Sequence, residues 1–294
     1  MTDLLRARLE RREWTVTVEV VTPPPSDSSA RARILDLADA VHGDDRVAAL
    51  TLTDRTIARD GDPIVLAPAV AARSGKAPLV HLAGKGRDAA DVTDALQHVG
   101  AVSVLLTGGD RLPGDAVSGR DSINALDMLR LARARDPQLL SLAVLAPGRA
   151  RDEAWADAVA KRDAGAAAFI AQVSWDLVVR ETIAGWQARL GVPVLGAVMP
   201  LTRGRLAFLA RHRIGGIVVP PALRRRAGRE GLDAALRRLA MDLVALRRLG
   251  YAGAHVSGLL TPALVAGALD EAEGRDRALG DDWRDVWREA IGIA

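Results

Sequence analysis

Short apolar runs alternate with amphipathic stretches along nearly the whole chain, and this alternation restricts the possible folds more than any other feature. The apolar runs have the length of buried strands, and the stretches between them carry apolar residues at helical spacing. In order, the pattern gives eight strand-helix units with short connections and no low-complexity segment. Such an order is typical of α/β proteins with a parallel sheet. We therefore predict that residues 1–294 form a single (β/α)8 TIM barrel.

The limits of the predicted elements follow from the same pattern. The first strand starts near Trp14 and is stopped by the prolines at 23–25. The other predicted strands are residues 47–53, 78–84, 101–106, 140–145, 166–173, 192–199 and 252–260. The predicted helices are residues 26–42, 63–73, 88–98, 122–135, 152–164, 175–190, 203–212 and 232–249, with an N-terminal helix at 1–12 and a helical tail at 262–294. The apolar run 214–219 is left unassigned.

An open doubly wound sheet is the alternative architecture for this order of elements. That fold would need a glycine-rich turn after the first strand, and prolines occupy this position instead. The prolines therefore favour the barrel.

Composition excludes several classes of function. Basic and acidic residues nearly balance at a net charge of +3, and the basic run 224–226 has no aromatic neighbour, so we expect no nucleic-acid partner. The absence of cysteine excludes disulfides, thiolate metal sites and cysteine nucleophiles. No stretch approaches the roughly 20 uncharged apolar residues of a membrane span, and residues 1–12 do not resemble a signal peptide. We expect a cytoplasmic protein that does not enter a membrane.

Polar side chains lie where predicted strands end. Glu19 comes just before the prolines that stop the first strand. The other strands contribute a similar set, namely Asp54, His81, Lys85, Asp110, Gln172 and His255. Because the carboxyl ends of barrel strands form one face, we expect these groups to surround one pocket. The roles of Lys85 and His255 stay open, since a histidine inside an apolar strand is also typical of a core.

The acids are spread one per strand and no His-x-His or His-x-x-x-His spacing is present, so we predict no metal site. The segment 107–110 (Thr-Gly-Gly-Asp) lacks the Lys-Ser/Thr of a phosphate-binding loop. The remaining groups suit the binding of a polar heterocycle and the supply of a proton.

Five short segments resemble motifs of the methylenetetrahydrofolate reductases, which are (β/α)8 barrels. Residues 18–21 (Val-Glu-Val-Val), followed by prolines, resemble the family's Phe-Glu-Phe-Phe-Pro-Pro, and residues 107–110 are similar to its Leu-Arg-Gly-Asp. Residues 161–166 (Lys-Arg-Asp-Ala-Gly-Ala) resemble Lys-Val-Asp-Ala-Gly-Ala, residues 171–176 resemble Thr-Gln-Phe-Phe-Phe-Asp, and residues 196–200 resemble Gly-Ile-Met-Pro. These segments occur in the family's order across about residues 15–260.

The resemblance implies reduction of 5,10-methylenetetrahydrofolate to 5-methyltetrahydrofolate with NADH or NADPH. It implies that Glu19 is the general acid and that Asp110 and Gln172 orient the pterin. We predict that Asp54, His81 and Lys161 are cofactor contacts. We expect burial beside Val20 and Val21 to raise the pKa of Glu19 towards neutrality.

The segments that hold FAD in the family are altered. The Arg before Gly-Asp is Gly108 here, residues 145–150 have lost the family's Tyr and His, and residues 52–56 have lost a Thr-Tyr-Gly-rich strand end. We therefore predict hydride transfer directly from NADH or NADPH, without FAD. An FAD-dependent reductase of the same reaction, a non-catalytic folate-binding partner protein and a barrel that passes a methyl group to a corrinoid protein remain alternatives. The oligomeric state cannot be read from the sequence.

Overall fold

Eight parallel strands close into a barrel in chain order, and β8 pairs with β1 to complete it. The computed structural model describes residues 3–54, 62–99, 103–109, 122–146, 151–212, 217–259 and 261–292. The strands are β1 Thr15–Val21, β2 Val47–Thr53, β3 Leu79–Ala83, β4 Ser103–Thr107, β5 Ser141–Leu145, β6 Ala168–Ala171, β7 Val194–Val198 and β8 Gly253–Ser257. The predicted (β/α)8 barrel is confirmed.

Helices follow the strands and cover the outside of the barrel. They are α1 Leu4–Arg11, α2 Ser28–Ala40, α3 Pro63–Ser74, α4 Ala89–His98, α5 Ala125–Arg135, α6 Arg151–Ala164, α7 Leu177–Leu190, α8 Arg203–His212, α9 Pro221–Ala227, α10 Leu232–Arg248, α11 Pro262–Ala278 and α12 Trp283–Ile291. Several begin where an Asp or Asn side chain accepts a hydrogen bond from the first turn, as Asp27, Asp62, Asp88, Asn124 and Asp176 do.

The basic run 224–226 lies in α9. This helix forms because Leu223 and Ala227 are buried on one side of it while the arginines face outward. The described part of the unassigned apolar run, residues 217–219, belongs to no strand.

The side chains on the two faces of a strand pack in different parts of the protein, one beneath the helices and one inside the barrel. On β1, Val16, Val18 and Val20 pack in the outer core beneath the helices. The alternate residues, Thr15, Thr17 and Glu19, face the barrel interior, because successive side chains of a strand point to opposite faces. In the register between β1 and β8, His255 lies beside Thr17 and Ser257 beside Glu19, so both residues of β8 also face the interior.

The closing contact between β8 and β1 requires a glycine. A Cβ atom at Gly253 would lie 1.8 Å from the carbonyl oxygen of Thr15, so no larger residue fits where these strands meet. At the N-terminal end of the strands, α1 covers the interior with Leu5 and Leu9, both buried in a cluster that includes Leu79 and Leu105. The other end of the barrel is the one where functional groups collect.

The C-terminal helix α12 is fixed by a buried polar contact with α10. The Nε1 of Trp287 donates to Oδ1 of Asp242 at 2.9 Å, and the same carboxylate is paired with Arg180 at 2.7 Å. Trp175 donates to the second carboxylate oxygen at 3.3 Å. Asp242 therefore ties α12 to α7 and α10. None of the helices in the described ranges is long and apolar enough to cross a lipid bilayer.

Candidate functional site

Glu19 and His255 form a hydrogen-bonded pair at the C-terminal end of the barrel. Nε2 of His255 lies 2.9 Å from Oε2 of Glu19, and Nδ1 of the same ring lies 2.8 Å from the Thr17 hydroxyl. Thr17 and His255 are almost fully buried, whereas the Glu19 side chain is 28% exposed. The chain of three groups therefore runs from the interior to the open end, where the carboxylate reaches solvent.

The environment of Glu19 lowers its pKa, contrary to the expectation from the sequence. Burial raises the pKa of this carboxyl, but the hydrogen bond from His255 and the positive charges of His255, His81 and Arg205 outweigh that effect, so the pKa lies below its ordinary value of 4.5. The predicted apolar neighbours do not surround the carboxyl. Val20 belongs to the outer core on the opposite face of β1, and Val21 is 53% exposed.

Arg205 is a cation at the mouth that the sequence did not single out. It lies in the first turn of α8, and its guanidinium lies above Gly258, where an added Cβ would be 2.4 Å from Nη2. Its charge also contributes to the low pKa of Glu19. The loops that follow β7 and β8 therefore meet close to the Glu19–His255 pair.

His81 also lies among these groups. Its Nε2 lies 2.8 Å from the hydroxyl of Thr107 on β4, and its charge lowers the pKa of Glu19. His81 is in register with Leu105 of β4, and its ring reaches Thr107, the next inward residue of that strand. In the same way His255 is in register with Thr17 of β1, and its ring reaches Glu19. The structure thus brings His81 and His255 to the same space as Glu19.

Gln172 follows β6 and continues the inward alternation of Ala168 and Ile170. Its Oε1 accepts the backbone N–H of Val173 at 3.0 Å, which fixes the direction of the carboxamide. Its NH2 group has no protein partner among the residues that the structure describes, so this donor is available to a ligand.

Two buried hydroxyls face the same interior from β2. Thr51 is in register with Glu19, and Thr53 is the next inward residue. Within the described parts of the chain, neither hydroxyl oxygen has a hydrogen-bond partner. Buried polar groups are usually satisfied, so these two hydroxyls are unusual features of the interior beside Glu19.

Asp54 has a different environment from the one predicted. Its carboxylate accepts the N–H of Ala83 at 3.1 Å and is paired with the guanidinium of Arg87. Asp54 is only 6% exposed and continues the outward alternation of Leu50 and Leu52, not the inward one. This geometry favours a structural link between the ends of β2 and β3 over a cofactor contact.

Lys161 is not brought to the mouth. It lies on α6, outside the barrel wall, and its ammonium donates to the carbonyl of Val144 at 2.9 Å and to Asp157 at 2.7 Å. These bonds favour a structural role for Lys161.

Asp110 and residues 147–150 lie outside the described residues, so their predicted functions stay predictions. In the parts that the structure does describe, no group of three His, Cys, Asp or Glu side chains is placed to hold a metal ion. A cavity of about 260 Å³ lined by Trp14, Val16 and Arg247 lies at the N-terminal end of β1, remote from Glu19.

The mouth therefore combines a hydrogen-bonded carboxylate–imidazole pair, a cation and a carboxamide donor. Such a set can orient a polar heterocycle, hold negative charge and pass one proton. Only the regular inward alternation of β1 and β8 could have linked Glu19 with Thr17 and His255 in advance. Nothing in the sequence distinguishes Arg205 from the many other arginines.

These features define a (β/α)8 barrel with a carboxylate–imidazole pair at its C-terminal face. No protein-family model and no curated protein sequence matches the chain. Among solved structures, the chain is similar to a protein from Clostridium thermocellum that binds two copies of 5-methyl-5,6,7,8-tetrahydrofolic acid, with a TM-score of 0.70, 13% identity and coverage of 94% of this chain and 100% of that one. It is also similar to oxaloacetate acetylhydrolase in complex with 3,3-difluorooxalacetate, with a TM-score of 0.54, 15% identity and coverage of 99% and 92%. At these identities the likeness shows the shared barrel fold.

Proposed function

We propose that the mouth of this barrel binds a reduced folate and that the protein reduces 5,10-methylenetetrahydrofolate to 5-methyltetrahydrofolate with NADH or NADPH, without a flavin. The observation that carries the proposal is the Glu19–His255 pair, at the position where the family resemblance implies a general acid. The Clostridium thermocellum barrel supports the folate part of the proposal, because that protein binds the 5-methyl form.

Opening of the folate's five-membered ring needs a proton at the departing nitrogen. Because the pKa of Glu19 is lowered, this carboxyl alone is ionised at neutral pH and has no proton to give. The pair overcomes this difficulty, since the imidazolium form of His255 can pass its Nε2 proton to Oε2 of Glu19 over 2.9 Å and remain as a neutral ring protonated on Nδ1. Glu19 then delivers that proton to the nitrogen as the carbon–nitrogen bond breaks.

Loss of that bond leaves an iminium ion with a positive charge beside the carboxylate. Glu19 is ionised again after it has given up the proton, and a fixed anion stabilises a cation that forms next to it. NADH or NADPH, when bound, would supply the hydride that completes the methyl group. The protein's contribution is therefore one proton, one negative charge and the orientation of the ring.

The guanidinium of Arg205 at the mouth is a group of the kind that binds the phosphate of a dinucleotide. Of the three residues assigned to a cofactor, Asp54 is paired with Arg87 and Lys161 with Asp157, whereas His81 lies at the mouth beside Thr107. The support for hydride transfer without FAD is the alteration of the family's flavin segments, among them Gly108.

A non-catalytic folate-binding protein is the second candidate. The observation that favours it is the lowered pKa of Glu19, because an ionised carboxylate can accept the N–H groups of a pterin without donating any proton. This candidate predicts folate binding with no consumption of a nicotinamide cofactor.

The test follows NADH and NADPH oxidation by flavin-free protein with methylenetetrahydrofolate supplied. We expect turnover that requires the folate. Glu19→Gln should lower kcat by about 10²-fold or more while the Kd for 5-methyltetrahydrofolate stays near that of the wild type. Glu13→Gln is the matched control, since Glu13 precedes the same strand at its other end and pairs with Arg11.

Wild-type turnover by Glu19→Gln would remove Glu19 from the mechanism. Turnover only after FAD is added would support the flavoenzyme, and folate binding without any turnover would support the binding protein.

A further inference from the structure

Helix α8 is basic and lies at the mouth of the barrel. Its sequence carries Arg203, Arg205, Arg211 and His212 and no acidic residue, and none of its residues is buried. It begins shortly after β7 ends at Val198, so its first turn is at the C-terminal face where Glu19 lies. In many TIM barrels the loops after the seventh and eighth strands, with a short extra helix, bind an anion.

Arg205 is held where those two loops meet. Gly258, in the loop after β8, has a backbone φ of +81°, and an added Cβ there would be 2.4 Å from Nη2 of Arg205. The close approach is therefore possible only because residue 258 has no side chain. The backbone N–H of Arg205 is bound to the hydroxyl of Thr202, which fixes the first turn of the helix.

The guanidinium of Arg205 keeps its donors for a ligand. In the described ranges it has no ion pair, and its charge is felt by Glu19 without a direct bond between the two. A contact of 5.9 Å with the ring of Phe208 uses the guanidinium face but none of its N–H groups. An arginine with free donors beside a pocket is suited to a carboxylate or a phosphate, since its fork matches both.

We propose that Arg205, seated over Gly258, binds an anionic group of the ligand at the barrel mouth. The shared chemistry is a carboxylate or phosphate oxygen. This inference rests on the proposed function, which offers two anions to Arg205. The first is the glutamate carboxylate of the folate, and the second is a phosphate of the nicotinamide dinucleotide. This role makes Arg205 a specificity residue that discriminates ligands by their negative charge.

The central experiment compares Arg205→Gln with Arg211→Gln, which removes the same charge from the last turn of the same helix. Kd values are measured for tetrahydrofolate and for tetrahydropteroate, which lacks the glutamate, and then for NADH and NADPH. If the carboxylate is the anion, Arg205→Gln should weaken tetrahydrofolate about 10-fold or more and leave tetrahydropteroate nearly unchanged. If a phosphate is the anion, the loss should appear with the dinucleotides instead.

A second pair of variants tests whether the position of the Arg205 guanidinium depends on the glycine at residue 258. Gly258→Ala should displace Arg205 and reproduce its binding defect. Gly250→Ala is the control, because Gly250 has the same φ of +81° but open space around it. Both substitutions strain the backbone, so only a defect specific to Gly258 reflects the collision.

The failure of this inference can be told apart from the failure of the proposed function. Inorganic phosphate is titrated into the wild type while the arginine Nε–Hε resonances are followed by NMR. A saturating shift of the Arg205 resonance supports the anion site even if the protein binds no folate and oxidises no NADH. Equal behaviour of Arg205→Gln and Arg211→Gln with every ligand, together with the absence of a phosphate response at Arg205, would overturn it.

Discussion

His255 lies directly across from Thr17 in the register between β8 and β1, and its Nδ1 is 2.8 Å from the threonine hydroxyl. The proposed proton transfer needs the imidazolium, in which Nδ1–H donates to the threonine hydroxyl and Nε2–H faces Glu19. After the transfer the neutral ring keeps its Nδ1–H on Thr17, so the hydroxyl holds the orientation of the imidazole in both forms. The geometry of the pair therefore depends on a buried threonine.

Removal of His255 should raise the pKa of Glu19. In His255→Leu the burial that raises this pKa remains, whereas the hydrogen bond and charge that lower it are lost. A carboxyl with a lowered folded-state pKa adds stability above its unfolded pKa, and that stability is lost as the pH falls through the folded pKa. We expect His255→Leu to cost about 1–3 kcal/mol at pH 7, with a smaller cost below the ordinary pKa of 4.5.

Urea unfolding of the wild type and His255→Leu at several pH values measures this difference. The same comparison in a Glu19→Gln background is the control, since the pH dependence should vanish there. A cost that is independent of pH in the wild-type background would contradict the link.

Asp54→Asn should weaken the fold without changing cofactor affinity. The Asp54 carboxylate is nearly buried against Arg87, and loss of its charge leaves that guanidinium without its partner. We expect a loss of about 2 kcal/mol in the free energy of unfolding, at the low end for a buried pair because Arg87 is partly exposed. The KM for NADH should stay unchanged.

Asp39→Asn is the control for the Asp54 variant, because Asp39 pairs with Arg73 at an exposed position and should contribute little to stability. If Asp54→Asn instead raises the KM for NADH at unchanged stability, Asp54 contacts the cofactor as the sequence suggested.

Trp287→Phe should be more damaging than Trp283→Phe. Both tryptophans are buried in α12, but only Trp287 is seen to donate to Asp242. Each variant loses similar volume, and Trp287→Phe also removes a donor from a buried carboxylate. We expect Trp287→Phe to be less stable than Trp283→Phe by about 1–2 kcal/mol, as measured from urea midpoints. Equal losses would show that packing alone holds α12.

The barrel could be predicted because its signal is local and repeated. Both ends of β2 and of α8 coincide with the predicted limits, since apolar runs and helical spacing define them within a few residues. β6 is shorter than predicted because the pairing with β7 stops at Ala171, and only the neighbouring strand sets that limit.

The site was only partly predictable, and for a physical reason. Strand ends placed Glu19 and His255 on one face of the barrel, but the hydrogen bond between them joins residues 236 apart in the chain, and the sequence does not show that the two side chains touch. The outward position of Asp54 follows from the alternation with Leu50 and Leu52, which could have been read from the sequence. The low pKa of Glu19 required knowledge of the charges that other strands bring to it.

The pair at the mouth spans the seam where the ring closes, because Glu19 belongs to the first strand and His255 to the last. The Glu19–His255 hydrogen bond therefore cannot form in a nascent chain until its final strand has left the ribosome and paired with the first. Fragments that lack either strand lack this contact, and mixing complementary fragments should restore it only as they reassemble. The contact is thus a marker of the closed ring.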